Sequence, residues 1–522
     1  MLLSTGMIRP TRPDKAVRSL LALRRWGATP AAAYTGAALR YPNRDAIIDE
    51  RGPLTFRQVH LQSNALARGL AAAGVGEGDA VAVMCRNHRW IVEVTVAASK
   101  LGASSLYLNT AFAGPQLLDV LGREQPKAVI YDAEFAELFG QEPTKIRFIA
   151  WREPEEQASA PTLQQLIEGQ STADLHPPST TGRVVILTSG TTGTPKGASR
   201  KQPDSLEPAA ALFSRIPLKA LGTTFIAAPM FHTWGYGHFT LSLPLSSTLL
   251  LRRRFEPEET LRAVAMHKAS VLAMVPVMLQ RILELPQQTI ARYDLSCLKV
   301  ISLSGSSLPG ELAIRAMDVF GDIVYNLYGS TEVAWATIAT PAELRAAPGT
   351  AGRPPMGTVV KVLDEAGREV PTGHSGRIFV GNEMVFDGYT GGGGKEIING
   401  LMSTGDIGRF DAEGRLFVEG RDDEMIVSGG ENVFPREVED LLADHQEIEE
   451  AAVIGVEDPQ FGQRLKAFVV KRNGSSLTEQ DIQGYVKANL ARYKVPREVV
   501  FLPRLPRNAT GKILKRELSN GE

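Results

Sequence analysis

Apolar residues follow two alternating spacings along roughly the first four hundred residues of the chain. Val59, Leu66 and Leu70 recur at helical spacing on one face, and Gly74 is suited to end such a helix. Residues 80–84 follow as a short apolar run with the length of a buried strand. This alternation predicts strands joined by helical crossovers, hence mainly parallel or mixed sheets with helices on their faces.

Two further predicted strands run directly into loops rich in serine and glycine. Residues 184–187 precede a Thr/Ser/Gly segment, and residues 298–303 precede Gly305, Ser306 and Ser307. In folds of this kind, ligands bind in the loops that follow the carboxyl ends of the strands. Both loops are therefore candidate binding loops.

The character of the chain changes near residue 420, where a polar, charged segment begins. Pro435 then opens a predicted helix that carries Val438 and Leu442 on one face. We therefore predict an α/β protein with a large N-terminal domain of mixed sheets flanked by helices and a small mobile α+β domain. The predicted boundaries are a basic leader over residues 1–30, the large domain over residues 31–421 and the small domain over residues 422–522.

The composition excludes several classes of protein. The chain has 522 residues, more than one hydrophobic core normally serves, and a formal net charge of −1 argues against nucleic-acid binding. Cys85 and Cys297 are the two cysteines, so neither a disulfide framework nor a cysteine metal site is expected. No apolar run approaches the roughly 20 residues that span a bilayer. A cytoplasmic protein fits these features best.

The leader differs from the rest of the chain in its charge. One acidic residue, Asp14, stands among its basic residues, which are Arg9, Arg12, Lys15, Arg18, Arg24 and Arg25. Val17, Leu20, Leu21 and Leu23 are interleaved with them. A secretory signal would need a longer apolar centre and a cleavage site. Two interpretations stay open: a basic amphipathic helix peripheral at an anionic membrane, or a leader packed loosely on the main domain.

The most informative segment covers residues 187–197 and reads Leu-Thr-Ser-Gly-Thr-Thr-Gly-Thr-Pro-Lys-Gly. Glycines permit turns that point backbone N–H groups at an anion, and the hydroxyl groups add donors. The terminal lysine adds a positive charge suited to a polyphosphate, although the spacing is not that of a Walker A loop. The predicted phosphate-binding residues are Thr188, Ser189, Gly190, Thr191, Thr192 and Lys196.

Two later segments hold further candidate nucleotide ligands. The segment that begins at Asn326 reads Asn-Leu-Tyr-Gly-Ser-Thr-Glu and ends at Glu332. Its tyrosine offers a ring for purine stacking, and the Glu332 carboxylate suits Mg²⁺, which prefers oxygen ligands. Asp406 is suited to accept hydrogen bonds from ribose hydroxyls, and Arg421 to bridge ribose or phosphate. Each segment taken alone is equally compatible with an ordinary turn or a surface ion pair.

Near the C-terminus, Lys512 follows Asn-Ala-Thr-Gly on a predicted turn. The four segments, in this order, closely resemble the motifs of the adenylate-forming superfamily, which contains acyl-CoA synthetases, luciferases and the adenylation domains of peptide synthetases. The resemblance extends from about residue 54 to Lys512 and is closest in look to bacterial fatty-acyl-CoA synthetases. It implies that the protein uses ATP to form an acyl-adenylate and then an acyl thioester.

The resemblance implies a role for each residue that matches a nucleotide motif. Residues 188–196 would hold the β- and γ-phosphates of ATP, while Asp406 and Arg421 would hold the ribose. Thr331 would lie near the α-phosphate and Glu332 would bind Mg²⁺, so both count as catalytic. The remaining nucleotide-binding residues would be Gly305, Ser306 and Ser307, with Asn326 to Tyr328, around the adenine, and Gly329 and Ser330 beside them.

The resemblance also implies a moving C-terminal domain. Lys512 would enter the site for adenylation, and Asp423 aligns with the hinge about which the domain rotates. Rotation would bring Gly429 and Gly430 beside the tunnel for the thiol of coenzyme A. His232 matches an acyl-site histidine, with a plain core histidine as the alternative.

Two features depart from the family pattern or from an ordinary chain. Glu424 stands where the family usually has a second aspartate after the hinge. The four-glycine run over residues 391–394 is unusual, and its composition predicts a plain surface linker.

The acyl substrate is less directly encoded than the nucleotide. Residues 233–238 are predicted to line its pocket, with glycines leaving room for a chain and Trp234 or Tyr236 capping it. No acidic partner for an amino group is evident in residues 229–238, so a fatty or aromatic acid is favoured over an amino acid. The resemblance to bacterial fatty-acyl-CoA synthetases then favours a medium- or long-chain fatty acid.

Three alternatives to a fatty-acyl-CoA synthetase stay open. The acid can be aromatic, or the acceptor can be a carrier protein instead of coenzyme A. The third alternative is a non-catalytic sensor of nucleotides or acyl groups. That alternative requires loss of the essential charged residues, yet the chain retains Lys196, Glu332, Asp406, Arg421 and Lys512.

Overall fold

The computed structural model describes residues 4–7, 12–140, 146–156, 159–188, 196–200, 205–390, 392–424, 426–428, 431–458, 462–490, 494–508 and 511–519. Within these residues the strands form four sheets, with helices packed on their faces. The predicted α/β class is confirmed, with a large N-terminal part and a separate small C-terminal part.

The first sheet is built mainly from parallel strands. In spatial order its strands are Thr337–Ala339, Val324–Tyr328, Val300–Leu303, Val271–Met274, Thr223–Ile226, Thr248–Leu251, Asp45–Asp49 and Gly52–Thr55. All pairings between Val324–Tyr328 and Asp45–Asp49 are parallel, and each end of the sheet adds an antiparallel strand. The carboxyl ends of the parallel strands therefore lie at one edge.

The second sheet combines parallel strands with an antiparallel hairpin. In spatial order its strands are Gly388–Tyr389, Lys196–Arg200, Val184–Thr188, Ser104–Tyr107, Ala80–Met84, Ala128–Tyr131 and Ile146–Ile149. The hairpin pairs Thr188 with Lys196. Both ends of the predicted phosphate-binding segment therefore lie side by side, at the carboxyl end of a buried strand.

Helices Phe56–Ala72 and Arg89–Leu101 lie between the first two sheets. One hydrophobic cluster contains Leu66 and Val94 from these helices together with Ile47 and Val83 from the two sheets. The first of the two helices begins with a capping box, in which Thr55 and Gln58 satisfy each other's backbone N–H groups. The predicted face of Val59, Leu66 and Leu70 is fully buried, as its spacing indicates.

The third sheet and the C-terminal sheet complete the chain. The third consists of Val359–Leu363, Gly376–Gly381, Leu401–Phe410, Ile397–Ile398 and Leu416–Arg421. The C-terminal sheet consists of Glu431–Val433, Ile426–Ser428, Gly462–Lys471, Ile448–Asp458 and Glu498–Phe501. Helix Pro435–Ala443 packs on the latter through Val438 and Leu442, in a hydrophobic cluster of its own.

The other described helices pack on the sheet faces or lie in the leader. They are Pro13–Trp26, Pro30–Arg40, Gly114–Glu124, Leu163–Ile167, Glu207–Phe213, Thr233–Leu245, Pro257–His267, Pro276–Leu283, Gln287–Ile290, Gly310–Phe320, Pro341–Ala346, Glu479–Asn489 and Lys515–Ser519, with 3₁₀ turns at Ala133–Phe139 and Asp422–Glu424. Among the helices described, none combines the length and the apolar character that crossing a bilayer requires.

A buried ion pair joins the first sheet to the central helix Arg89–Leu101. Asp49 accepts hydrogen bonds from the backbone N–H of Arg89 and from its guanidinium group, and the Asp49 side chain is fully buried. Burial raises the pKa of Asp49, but the hydrogen bonds from Arg89 outweigh it and hold that pKa below its usual value. The charged form of Asp49 therefore contributes stability at neutral pH, which is lost as the pH falls through this lowered pKa.

Asp49→Asn should lower the free energy of unfolding by about 3 kcal/mol at neutral pH, because it leaves the Arg89 charge buried without its partner. The shift in urea midpoint measures this loss. Asp318→Asn is the matched control, since it removes an exposed partner of Arg345 and should cost at most about 1 kcal/mol. Equal losses in the two variants would contradict the assignment.

Candidate active site

A cleft of about 790 Å³ opens where the parallel strands of the first sheet end. Its walls include His232, Val275, Gly305 and Thr331, each from a loop that follows a different strand of that sheet. The structure brings most of the predicted site residues together here. Those that line the cleft are Lys196, His232, Gly305, Ser306, Ser307, Asn326, Tyr328, Gly329, Ser330, Thr331, Glu332, Asp406, Arg421 and Lys512.

The other predicted site residues divide into two groups. Thr188 ends the strand that carries the loop, and Asp423 lies in the 3₁₀ turn Asp422–Glu424. The remaining predicted residues lie outside those that the structure describes, namely Ser189, Gly190, Thr191, Thr192, Gly429 and Gly430.

Asp406 is the centre of a hydrogen-bonded group at one end of the cleft. Tyr328 Oη donates to Asp406 Oδ2 at 2.5 Å, and Arg421 Nη1 donates to Asp406 Oδ1 at 3.3 Å. Burial raises the pKa of Asp406, while the charges of Arg421 and Lys512 and the Tyr328 hydrogen bond oppose this rise. The group joins the first sheet to the third, because Tyr328 lies in one and Asp406 in the other.

Glu332 has two neighbours that the sequence did not predict. Tyr389 Oη donates to Glu332 Oε1 at 2.7 Å, and Arg200 Nη2 donates to the carbonyl oxygen of Thr331 at 2.6 Å. Burial lowers the pKa of Arg200 to about 10, and the nearby Glu332 carboxylate opposes this shift. A signal for Arg200 was present, since it lies four residues after Lys196 and therefore on the same face of that strand.

One end of the four-glycine segment lies at the cleft, although its composition predicts a plain surface linker. Gly394 and Lys395 line the cleft, and a Cβ added at Gly405 would lie 3.3 Å from Lys395 Nζ and 3.4 Å from Arg421 Nη2. Gly405 has φ +77°, which glycine adopts without strain. Lys395 therefore brings a second positive charge beside Arg421, and composition alone could not place it there.

His232 lies in the wall of the cleft rather than in the core. Its ring is buried against Phe231, with ring centroids 4.5 Å apart, and its Nε2 finds no hydrogen-bond partner among the described residues. Burial lowers the pKa of His232 to about 4. The imidazole is therefore neutral at physiological pH and presents an uncharged polar surface to the cleft.

Trp234 forms a fixed wall next to His232. Its indole Nε1 donates to the carbonyl oxygens of Met274 at 3.2 Å and Ser302 at 3.4 Å. Tyr236 does not reach the cleft lining and instead packs against Tyr107, with ring centroids 5.2 Å apart. Of the two predicted caps, the structure therefore supports Trp234.

Gly235 does not leave room for an acyl chain, contrary to the sequence prediction. A Cβ at this position would overlap the backbone of Pro229 and Ala228. The glycine is needed because the start of helix Thr233–Leu245 approaches the preceding loop closely.

Lys512 is presented by a tight turn of the C-terminal part. Its backbone N–H donates to Asn508 Oδ1 at 2.9 Å, and Arg507 donates to the carbonyl oxygen of Gly511 while pairing with Glu450 at 2.8 Å. Gly511 has φ +78°, and a Cβ there would overlap Val277 at the start of helix Pro276–Leu283. The turn that carries Lys512 is therefore seated directly on the edge of the first sheet.

The turn Asp422–Glu424 is held to the C-terminal part. Lys515 Nζ lies 3.1 Å from Glu424 Oε2 and 2.9 Å from Glu439 Oε1. Although burial lowers the pKa of Lys515, the two carboxylates outweigh it and raise that pKa. Glu424, which departs from the family pattern, thus has a specific cationic partner in this chain.

Comparison with known proteins places this chain in a family. The model described as AMP-binding enzyme matches residues 35–390, and the model described as AMP-binding enzyme C-terminal domain matches residues 437–512. This chain belongs to the AMP-binding enzyme family. The resemblance to the adenylate-forming superfamily is thereby confirmed.

Relatives cover nearly the whole chain. An indoleacetate–CoA ligase of Aromatoleum aromaticum is 31% identical over 489 residues, covering 92% of this chain and 93% of its own length. A feruloyl-CoA synthase of an Amycolatopsis species is 32% identical over 488 residues, covering 91% and 96%. The solved o-succinylbenzoate CoA synthetase of Bacillus subtilis, in complex with an acyl-adenylate intermediate, has a TM-score of 0.83 at 26% identity, covering 94% and 98%.

The two family matches correspond to the two sides of the cleft of this AMP-binding enzyme. Residues 35–390 contain the first two sheets, and residues 437–512 end at Lys512. Asp406 and Arg421 lie between the matched segments, on the third sheet. The cleft is thus assembled from both matched segments and the connection between them.

Tyr328→Phe should weaken AMP binding about fivefold, because it removes one hydrogen bond to Asp406 and keeps the aromatic ring. Isothermal titration calorimetry with AMP measures the change. Tyr325→Phe, on the same strand, is the control and should leave the affinity unchanged. An unaltered affinity in Tyr328→Phe would show that the Asp406 group does not contribute to nucleotide binding.

Proposed function

We propose that this protein is an AMP-forming ligase that joins an aromatic carboxylic acid to coenzyme A. The observation that carries the proposal is that one cleft is lined by both charged and uncharged groups. Arg421, Lys395 and Lys512 supply positive charge, while neutral His232 and the indole of Trp234 supply uncharged surface. Such a cleft suits a nucleoside triphosphate beside an apolar acid.

In the proposed first step, a carboxylate oxygen of the acid attacks the α-phosphorus of ATP and pyrophosphate leaves. Two anions must approach each other, so positive charge must already be in place where negative charge develops. Lys512 is the residue we assign to this task, with Asp406 and Arg421 holding the ribose. Lys196, at the end of the hairpin loop, is assigned to the departing phosphates.

In the proposed second step, the thiolate of coenzyme A attacks the acyl carbon and AMP leaves. Together the two steps convert one acid, one ATP and one coenzyme A into an acyl thioester, AMP and pyrophosphate. We assign Asp423 to the hinge between the steps and Gly429 and Gly430 to the path of the thiol, on the family resemblance alone.

The donor groups near Glu332 fit a magnesium ion. The Glu332 carboxylate and the Thr331 hydroxyl are oxygen donors, and Mg²⁺ usually takes one or two carboxylates together with water and substrate phosphates. Thr233 Oγ1 donates to Thr331 Oγ1 at 3.1 Å, and Tyr389 orients Glu332. Bound there, the ion would neutralise phosphate charge.

Two lines of argument favour an aromatic acid over the fatty acid that the sequence suggested. Indoleacetate, ferulate and o-succinylbenzoate, after which the relatives are named, are all aromatic acids. In this chain the Trp234 indole is fixed by two carbonyl groups, so it forms a flat, rigid wall. A planar ring stacks favourably against such a wall.

An AMP-release assay over a panel of acids should show release with aromatic acids that depends on coenzyme A. Acetate and long-chain fatty acids should support at least tenfold less. Trp234→Ala should lower this preference for aromatic acids, since it removes the flat wall. A fatty acid as the best substrate would refute the aromatic assignment, and adenylate formation that ignores coenzyme A would point to a carrier protein.

Lys512→Ala should reduce acid-dependent ATP–pyrophosphate exchange about 100-fold and leave ATP affinity nearly unchanged, because it removes charge that acts in the transition state. Arg507→Met should reduce exchange about tenfold, because Arg507 holds the Gly511 carbonyl. Thioester formation from a supplied acyl-adenylate should be spared in both variants.

The matched control for Arg507→Met is Arg504→Met, which removes an exposed arginine from the same segment and should keep full exchange activity. If Lys512→Ala retains exchange activity, the lysine assignment fails. If both half-reactions decline equally in Arg507→Met, the arginine stabilises the fold instead of positioning Lys512.

A further inference from the structure

Helix Pro13–Trp26 buries small residues and exposes its large apolar residues, which is the reverse of the usual arrangement in a surface helix. It packs on helix Pro30–Arg40 through small residues: Ala22 is buried, and a Cβ added at Gly36 would lie 4.0 Å from Ser19 Cβ. Its large apolar residues face outward, and their exposed fractions are 55% for Val17, 66% for Leu20, 49% for Leu21 and 41% for Leu23. A surface helix ordinarily buries such residues against the core.

These side chains form one stripe rather than scattered contacts with solvent. Val17, Leu20 and Leu21 stand at positions i, i+3 and i+4 of one helix, so they are neighbours on its surface. Across the described residues, nine large apolar side chains are markedly exposed, and four of them lie on this helix. Concentration of exposed apolar surface in one place indicates that something covers it.

Positive charge accompanies the stripe, and Arg24, four residues after Leu20 and three after Leu21, lies within it. The helix and its first flanking residue carry Arg12, Lys15, Arg18, Arg24 and Arg25. The acidic residue Asp14 is paired with Arg12 at 3.2 Å, and none of the described residues forms an ion pair with the other four. Arg18 and Arg25 are seven residues apart and therefore lie along one edge of the stripe.

We propose that helix Pro13–Trp26 lies in the interface of an anionic lipid membrane, with its leucines among the acyl chains and its arginines at the headgroups. A helix of this composition, about 21 Å long, has the features of interfacial helices. A second copy of the chain is a poorer occupant, because a two-fold contact between these helices would bring the cations of both copies together. The proposal is independent of the ligase chemistry.

The test is co-sedimentation of the full-length protein with vesicles of phosphatidylcholine containing about one third phosphatidylglycerol, compared with phosphatidylcholine alone. The wild-type protein should bind the anionic vesicles at least fivefold more strongly. The double variants L20S/L21S and R24E/R25E should each lose most of this binding. AMP affinity should be unchanged in both, which confirms that they fold.

Matched controls change similar side chains elsewhere on the surface. Met266→Ser replaces an apolar residue that is 57% exposed on helix Pro257–His267, and R292E/K299E reverses two exposed cations. Both should bind vesicles like the wild type. Absence of vesicle binding by the wild type, or binding that L20S/L21S leaves intact, overturns the proposal. A wild-type dimer that L20S/L21S converts into a monomer would assign the stripe to a second copy instead.

Discussion

Parallel strand pairing in the first sheet is the constraint on which the rest of the structure depends. Strands that run in the same direction end at the same edge, and here four of them deliver their following loops to one cleft. The loops that carry His232, Gly305 and Thr331 are thus positioned by a common framework of backbone hydrogen bonds. Trp234 is positioned by the same framework, since its indole N–H donates to carbonyl groups at the ends of two of these strands. The predicted phosphate-binding segment and Asp406 come instead from the second and third sheets.

Much of this arrangement is predictable from the sequence because it follows from local patterns. Apolar spacing indicates a helix such as Phe56–Ala72 or a strand such as Val300–Leu303, and their alternation indicates the sheets. Thr331 reaches the cleft because it follows a strand end, as the predicted alternation implies, whereas the arrival of Asp406 and Lys512 there was predicted from the family resemblance.

The features that the sequence does not predict share a different cause, because each depends on contacts between residues distant in the chain. Gly235 suggested free space, yet its missing side chain accommodates the backbone of Pro229. The glycine run near residue 392 suggested a linker, but Thr390 beside it accepts a hydrogen bond from the Gly197 N–H at 3.1 Å. The choice between a fatty and an aromatic acid lies beyond the sequence for a similar reason, because the shape of a pocket is set by side chains that only the fold brings together. Arg200 is the opposite case, because strand periodicity alone places it on the same face of its strand as Lys196.

In the proposed rotation of the C-terminal part, the Lys515 group would determine where the chain can bend. Because Lys515 binds both Glu424 and Glu439, the end of the 3₁₀ turn travels with that part. On the other side, Arg377 Nε lies 3.5 Å from Asp422 Oδ2, and the Asp422 side chain is 43% exposed. In that rotation the bend would be confined to the few bonds between these two attachments. Mobile ions screen an exposed pair more than a sheltered one, so ionic strength would loosen the Asp422 attachment first and lengthen the bend on that side.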